Sequence, residues 1–190
     1  MRKITSKYKE EKKKKRNAIA IGIVLIAIMF FSILGYSFQG KSGDRKKKIK
    51  FNDFEFENIN NFWVLNMNKM KFSFMYSPYE TEKIEGDLRG INNYYGKPLY
   101  VHSENNEAEA EIYRNFAYNS IVERMQNACI EGEKCEGDFP IKSCEDNFII
   151  IKESNKTEIY QENNCVFIES PKEEMLKTID GFLFDILGIQ

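Results

Sequence analysis

Histidine is nearly missing from this chain. His102 is the sole example among 190 residues, which removes any metal centre built on several imidazoles. What remains is a Cys–His pair, and no nucleophile motif accompanies it. The plainer reading of His102 is a surface or partly buried side chain at the end of a strand, PLYVH. Glycine-rich phosphate loops are also lacking. Neither G-x-x-x-x-G-K-S nor G-x-G-x-x-G occurs, so no nucleotide site is expected. The acidic run from Glu131 to Asp138 has no D-x-D-x-D-G pattern with a closing glutamate, which excludes a calcium loop of that type. The cysteines form no C-x-x-C pair and no zinc ribbon. No cofactor or metal is expected on these grounds.

Charge of one sign is scarce in the first fifty residues and outweighed by the other sign in the rest. Residues 1–50 carry 15 Lys/Arg against Glu10, Glu11 and Asp44, a net +12, and the remaining 140 residues carry −13. A body with this excess of acid argues against nucleic acid as its partner, since phosphate contacts need Lys and Arg. Between Ala18 and Phe38 there is no charge at all. The run AIAIGIVLIAIMFFSILGYSF is long enough to cross about 30 Å of hydrocarbon as a helix. A cleaved signal sequence is the alternative, but the run is long for one and no A-x-A site follows. Nine Lys/Arg precede the run and six follow it closely. That bias favours an inside N-terminus in the cytoplasmic membrane with the C-terminal part outside. The expected organisation is a basic cytoplasmic tail at 1–17, a transmembrane helix at 18–38, a basic linker at 39–50 and a globular ectodomain at 51–190. The lipid bilayer is then the first partner.

Beyond residue 50 the pattern turns to period two. Phe54 and Phe56, then Trp63, Leu65 and Met67, then Met70, Phe72, Phe74 and Tyr76 alternate with other residues, and short polar joints separate them. This predicts a three-stranded antiparallel meander. Ser77, Pro78 and Glu80 form a helix-start signature, and Ile84, Leu88, Ile91 and Tyr95 follow at helical spacing up to Gly96 and Pro98. A strand over 98–102 comes next. A second helix, opened by Asn106 and Glu109, is expected to reach about Ala128, with Ile112, Phe116, Val122, Met125 and Cys129 near one face. FIIIKE and EIYQENNCVFIE around Ser154–Thr157 read as a β-hairpin. A third helix starts at Ser170 and Pro171, with an apolar stripe of Leu176, Ile179, Leu183, Ile186 and Leu187. The order βββαβαββα predicts an α+β (mixed α/β) domain, one sheet packed by helices.

The four cysteines, Cys129, Cys135, Cys144 and Cys165, lie together within the ectodomain. Such a cluster outside the cytoplasm favours disulfides; a four-cysteine metal site and free thiols are the alternatives. Cys144 and Cys165 bracket the expected hairpin, which brings them within bridging range, and Cys129 with Cys135 would then close the loop after the second helix. Asn155-Lys156-Thr157 is a glycosylation sequon on the expected turn, and equally an ordinary polar turn.

Taken together, the lysine-rich start before a bare apolar span, MKFSFMYSPYETEKI, KPLYVHS, PIKSCEDNFIIIKESNKTEIYQENNCVFIE and the closing helix ending GFLFDILGI resemble uncharacterised archaeal single-pass membrane proteins with a small cysteine-containing ectodomain. The resemblance covers most of the chain. It implies a cytoplasmic-membrane anchor with an outward domain, and it carries over no catalytic residue. The leading expectation is a membrane-anchored extracytoplasmic binding or interaction module with a protein partner at the outer face, and not an enzyme. A type IV pilin-like subunit is the first alternative, although Arg16-Asn17-Ala18-Ile19 lacks that family's cleavage junction. A Cys/His enzyme using His102 is the second.

Overall fold

The computed structural model describes residues 7–39, 47–132 and 137–190. The chain divides into two units, Met1–Arg45 and Lys46–Gln190. In the first, helix α1 (Lys7–Gln39) is long and apolar enough, over Glu11–Ser32, to cross a membrane. Its side chains from Ile19 to Phe31 are exposed, Phe31 at 74%. A helix that is apolar all round satisfies its own backbone and suits a hydrocarbon surrounding.

The second unit is α+β, two main sheets with helices. Strands β1 (Lys48–Phe51), β2 (Phe54–Ile59), β3 (Phe62–Met67) and β4 (Met70–Phe74) form an antiparallel meander in chain order. The meander therefore has four strands where three were expected. Its first strand begins at Lys48, inside the stretch read as linker. Asparagine makes the tight turns: Asn60 and Asn61, then Asn68 with Lys69, have positive φ. That conformation suits the twist of a two-residue hairpin.

After a 3₁₀ turn at Ile91–Asn93 come β5 (Pro98–Ser103), α2 (Asn106–Phe116), β6 (Arg124–Asn127), β7 (Cys129–Ile130), β8 (Ile141–Lys142), β9 (Phe148–Glu153), β10 (Glu158–Glu162), β11 (Cys165–Ser170) and α3 (Met175–Ile186). The second sheet runs β10-β11-β9-β5-β6. Strands β11, β9, β5 and β6 are parallel and only β10 is reversed. A small parallel pair, β7 and β8, stands apart.

Four expectations are corrected. The helix over 77–95 does not form. Its start signature is real: the Glu80 carboxylate accepts hydrogen bonds from both the backbone N–H and the hydroxyl of Ser77 at 2.8 and 2.5 Å. The turn is not propagated, because Gly86 and Gly90 interrupt a segment whose apolar residues, Ile84, Leu88 and Ile91, reach the core without helical pairing. The second helix ends at Phe116, and the residues expected to continue it form β6. Ser120, in the left-handed region at φ 52°, turns the chain there. The cap of α2 is Asn105, one residue earlier than expected, accepting from the N–H groups of Glu107 and Ala108. The hairpin is made by β10 and β11, turning at Asn163 and Asn164. FIIIKE instead is the central strand β9, with Phe148, Ile149, Ile150 and Ile151 all buried. A near-continuous apolar run is what a strand covered on both faces requires. Finally, the expected single sheet is divided. α2 packs on both β4 and β5, and α3 on β11.

The main core lies between the sheets. Leu99, Val101, Ile149, Ile151, Val166 and Ile168 from the second sheet meet Phe56, Phe72 and Phe74 of the meander around α3. Phe184 of α3 packs on Phe56 and Phe74 with ring centroids 5.9 and 4.5 Å apart. The outer face of the second sheet has a smaller cluster of Tyr100, Phe148, Ile150 and Cys165 under Ala128 and Ile130.

Candidate functional site

A sheet exposes unpaired backbone groups only at its outer strands, so the treatment of each edge is informative. In a hairpin with a two-residue turn, the closing pair is hydrogen-bonded and pairs alternate from there. The closing pairs are Phe51 with Phe54, Met67 with Met70, and Glu162 with Cys165. The outward-facing residues are therefore Lys50 and Lys48 on β1, Lys71 and Ser73 on β4, and Gln161 and Ile159 on β10.

On β4 both outward residues are sealed. The Asn115 side chain accepts from Ser73 N–H at 2.9 Å and donates to Ser73 C=O at 3.0 Å. Asn119, four residues on, does the same to Lys71 at 2.9 and 3.1 Å. Two amides one helical turn apart act as the missing neighbour strand. On β1, Tyr79 donates its hydroxyl to the Lys50 carbonyl at 2.6 Å, and the lysines themselves discourage pairing. β6 is protected by shortness. On β10, no described group takes the outward N–H or C=O of Ile159 or Gln161. The Gln161 side chain is used instead to accept from Arg89 N–H at 2.9 Å.

That open edge faces a groove of about 550 Å³. One wall is β10 with Thr157, the other is 82–85, and the floor is α3 with Glu174, Lys177, Thr178 and Gly181. A Cβ on Gly181 would come 3.3 Å from the Glu82 carbonyl, so glycine lets the far wall rest on the floor. Hydroxyls form a chain at the near end: Ser170 lies 3.3 Å from Thr157 and 2.9 Å from Thr178. Four carboxylates, Glu82, Glu85, Glu158 and Glu174, outnumber Lys83 and Lys177 around the groove. The arrangement offers backbone pairing and negative charge.

A second cluster is buried where α2 meets α3. Glu111 and Asp180 are 1% and 0% exposed. Asp180 accepts from Tyr76 N–H at 2.7 Å, and Glu111 accepts from Arg114 at 2.7 Å. The remaining oxygens, Glu111 Oε1 and Asp180 Oδ1, have no donor. The two carboxyls act on each other electrostatically, and one proton shared between them is the arrangement that gives both oxygens a partner. Burial, reinforced by the Glu111 charge, pushes Asp180 well above the ordinary carboxylate range. Burial also raises Glu111, against the pull of Arg114. This pair ties two helices together and opens on no described cavity.

On the outer sheet face, Tyr100 accepts from Arg124 at 3.0 Å and lies under the Lys142 ammonium, 4.3 Å from the ring centre. The Arg124 hydrogen bond, then that of Lys142, lowers the phenol below its usual value. His102 sits half-buried on β5 opposite Ile150. Cys144 and Cys165 form a disulfide with Cα atoms 4.9 Å apart. They meet because Cys144 precedes β9 and Cys165 opens β11, at the same end of two parallel strands, and not across the antiparallel hairpin from which the pairing was expected. Cys129 is disulfide-bonded as well; Cys135 lies outside the described residues. Asn155 is exposed in the turn between β9 and β10, and the sequon's Thr157 belongs to the groove's hydroxyl chain. Among the described residues no three His, Cys, Asp or Glu side chains converge as a metal would need.

The groove escaped sequence reading because EIYQENNCVFIE was taken as one strand. Asn163-Asn164 within it is the turn signal that separates β10 from β11.

No family model matches this chain, and no curated protein or solved structure is significantly similar to it.

Proposed function

We propose that this protein is a membrane-anchored extracytoplasmic binding module, held by the apolar helix with its N-terminus in the cytoplasm, and not an enzyme. The observation that carries the binding half is the open β10 edge beside a polar groove, in contrast to the β4 edge, whose outward groups are bonded by Asn115 and Asn119. The compartment half is supported by the Cys144–Cys165 disulfide, which persists in an oxidising environment, and by the excess of cations before the apolar run. The partner is a protein at the outer face of the membrane. The acidic body disfavours nucleic acid.

Labelling intact cells with a membrane-impermeant maleimide, with and without an impermeant reductant, tests the compartment. Labelling of the cysteines only after reduction is expected. Labelling that needs lysis and no reductant would place the domain in the cytoplasm and overturn the proposal. Crosslinking at the cell surface is expected to trap a specific protein through the globular unit.

A further inference from the structure

We propose that the partner binds by strand addition: an extended, lysine- or arginine-rich peptide segment pairs with the outer edge of β10 and lies in the groove over α3. This rests on reading the protein as a binding module and names the chemistry of what it binds.

Three observations converge. First, the outward backbone groups of Ile159 and Gln161 are spaced two residues apart, the repeat an added strand needs, and no described group occupies them. The same alternation identifies Lys50, Lys71 and Ser73 as outward-facing, and each of those is engaged by a side chain of this chain. The rule is thus checked in full at β4 and, at the Lys50 carbonyl, on β1. Second, the groove alongside has room for a chain, about 550 Å³. It is bounded by β10 on one side, by 82–85 on the other and by α3 below. Third, the charge selects the occupant. Glu82, Glu85, Glu158 and Glu174 face two lysines, within a region that carries −13 after residue 50. An acidic strand is repelled there; a basic one is attracted, with a salt-dependent rate of association. Backbone pairing supplies the contact, and the glutamates supply the preference.

The test is a titration of the full chain in uncharged detergent micelles, followed by amide chemical shifts. The probes are a peptide alternating lysine with threonine, a peptide alternating glutamate with threonine, and a lysine peptide of equal charge interrupted by prolines. The lysine–threonine peptide is expected to give saturable shifts confined to 82–85, 157–162 and 174–181. The glutamate peptide is expected not to bind. The proline-interrupted peptide, which has the charge but not the donors, is expected to bind about tenfold more weakly. Gln161→Pro removes one outward donor and projects a ring into the pairing plane, so it is expected to weaken the lysine–threonine peptide by about tenfold, whereas Gln161→Ala is expected to stay within about twofold. Equal binding of the two lysine peptides to the unaltered chain would overturn strand addition. So would saturable shifts elsewhere, or no shifts at all. Failure of this titration, with the domain still outside and still crosslinked to a partner, refutes strand addition and leaves the binding module standing. A cytoplasmic domain in the labelling experiment refutes the module itself.

Discussion

Strands β4 and β10 are both outer strands, each in a two-residue hairpin with its sheet neighbour, and they are treated in opposite ways. On β4 the outward groups of Lys71 and Ser73 are bonded by Asn119, in the turn after α2, and by Asn115 of α2, and the chain just beyond the strand is held by Asp180 of α3. β10 leaves the outward groups of Ile159 and Gln161 without a described partner, and Ile159 lines a groove. An unpaired edge invites aggregation, so chains close edges with side chains, charge or shortness. All three means are present here, most fully on β4. The difference teaches that α2 and the turn after it do structural service as a substitute strand, and that β10 has no such cover among the described residues.

The comparison can be broken at the closed edge. Asn115→Leu keeps volume but strands the N–H and C=O of Ser73, and is expected to cost about 2–4 kcal/mol in denaturant unfolding. A loss below about 1 kcal/mol would mean that water replaces the amide freely. Next in size, Cys144→Ala with Cys165→Ala is expected to cost about 2–3 kcal/mol. The loosening should fall on the start of β11 and on β10, leaving amide protection in β4 unchanged.

Asp180→Asn sharpens the account of the α2–α3 junction. The folded-state value of Asp180 lies above its unfolded value, so between the two the folded chain holds more protons than the unfolded one. The associated stability is fully present below the ordinary carboxylate value and is lost as pH rises through the raised value. The amide keeps an acceptor for Tyr76 N–H and supplies a permanent donor to Glu111. It is expected to raise stability by about 1 kcal/mol at pH 8 and to flatten the pH dependence of unfolding. A steeper dependence in the variant would contradict the shared proton. The smallest effect is expected from Gln161→Pro, about 1 kcal/mol or less, because its N–H meets no strand and only two exposed side-chain bonds, from Arg89 N–H and to the Asn163 carbonyl, are lost.

How far the sequence revealed this architecture depends on the range of the interactions involved. The apolar helix, the meander and α3 were legible, because an uncharged run, period-two alternation and an apolar stripe are local signals. The Ser77–Glu80 signature was legible and misleading. It formed its turn, but two glycines and a demand for core contacts from Ile84 and Leu88 prevented a helix. FIIIKE was misassigned because an apolar run reports burial on both faces without naming its neighbours, here β11 and β5. The Cys144–Cys165 pairing was anticipated from a hairpin that does not exist, and holds because parallel strands also bring their like ends together. The Asn115 and Asn119 seals could not be read at all. They join residues more than forty positions apart, and nothing local marks an asparagine on a helix as the partner of a strand.

The most direct test of the open edge is amide hydrogen exchange of the unliganded full chain in detergent micelles. Lys71 and Ser73 N–H are expected to be strongly protected, as are Tyr160 and Glu162, which face β11. Ile159 and Gln161 N–H are expected to exchange at rates near those of exposed amides. Protection of Ile159 and Gln161 equal to that of Lys71 and Ser73 would show the β10 edge to be closed, and would contradict the account.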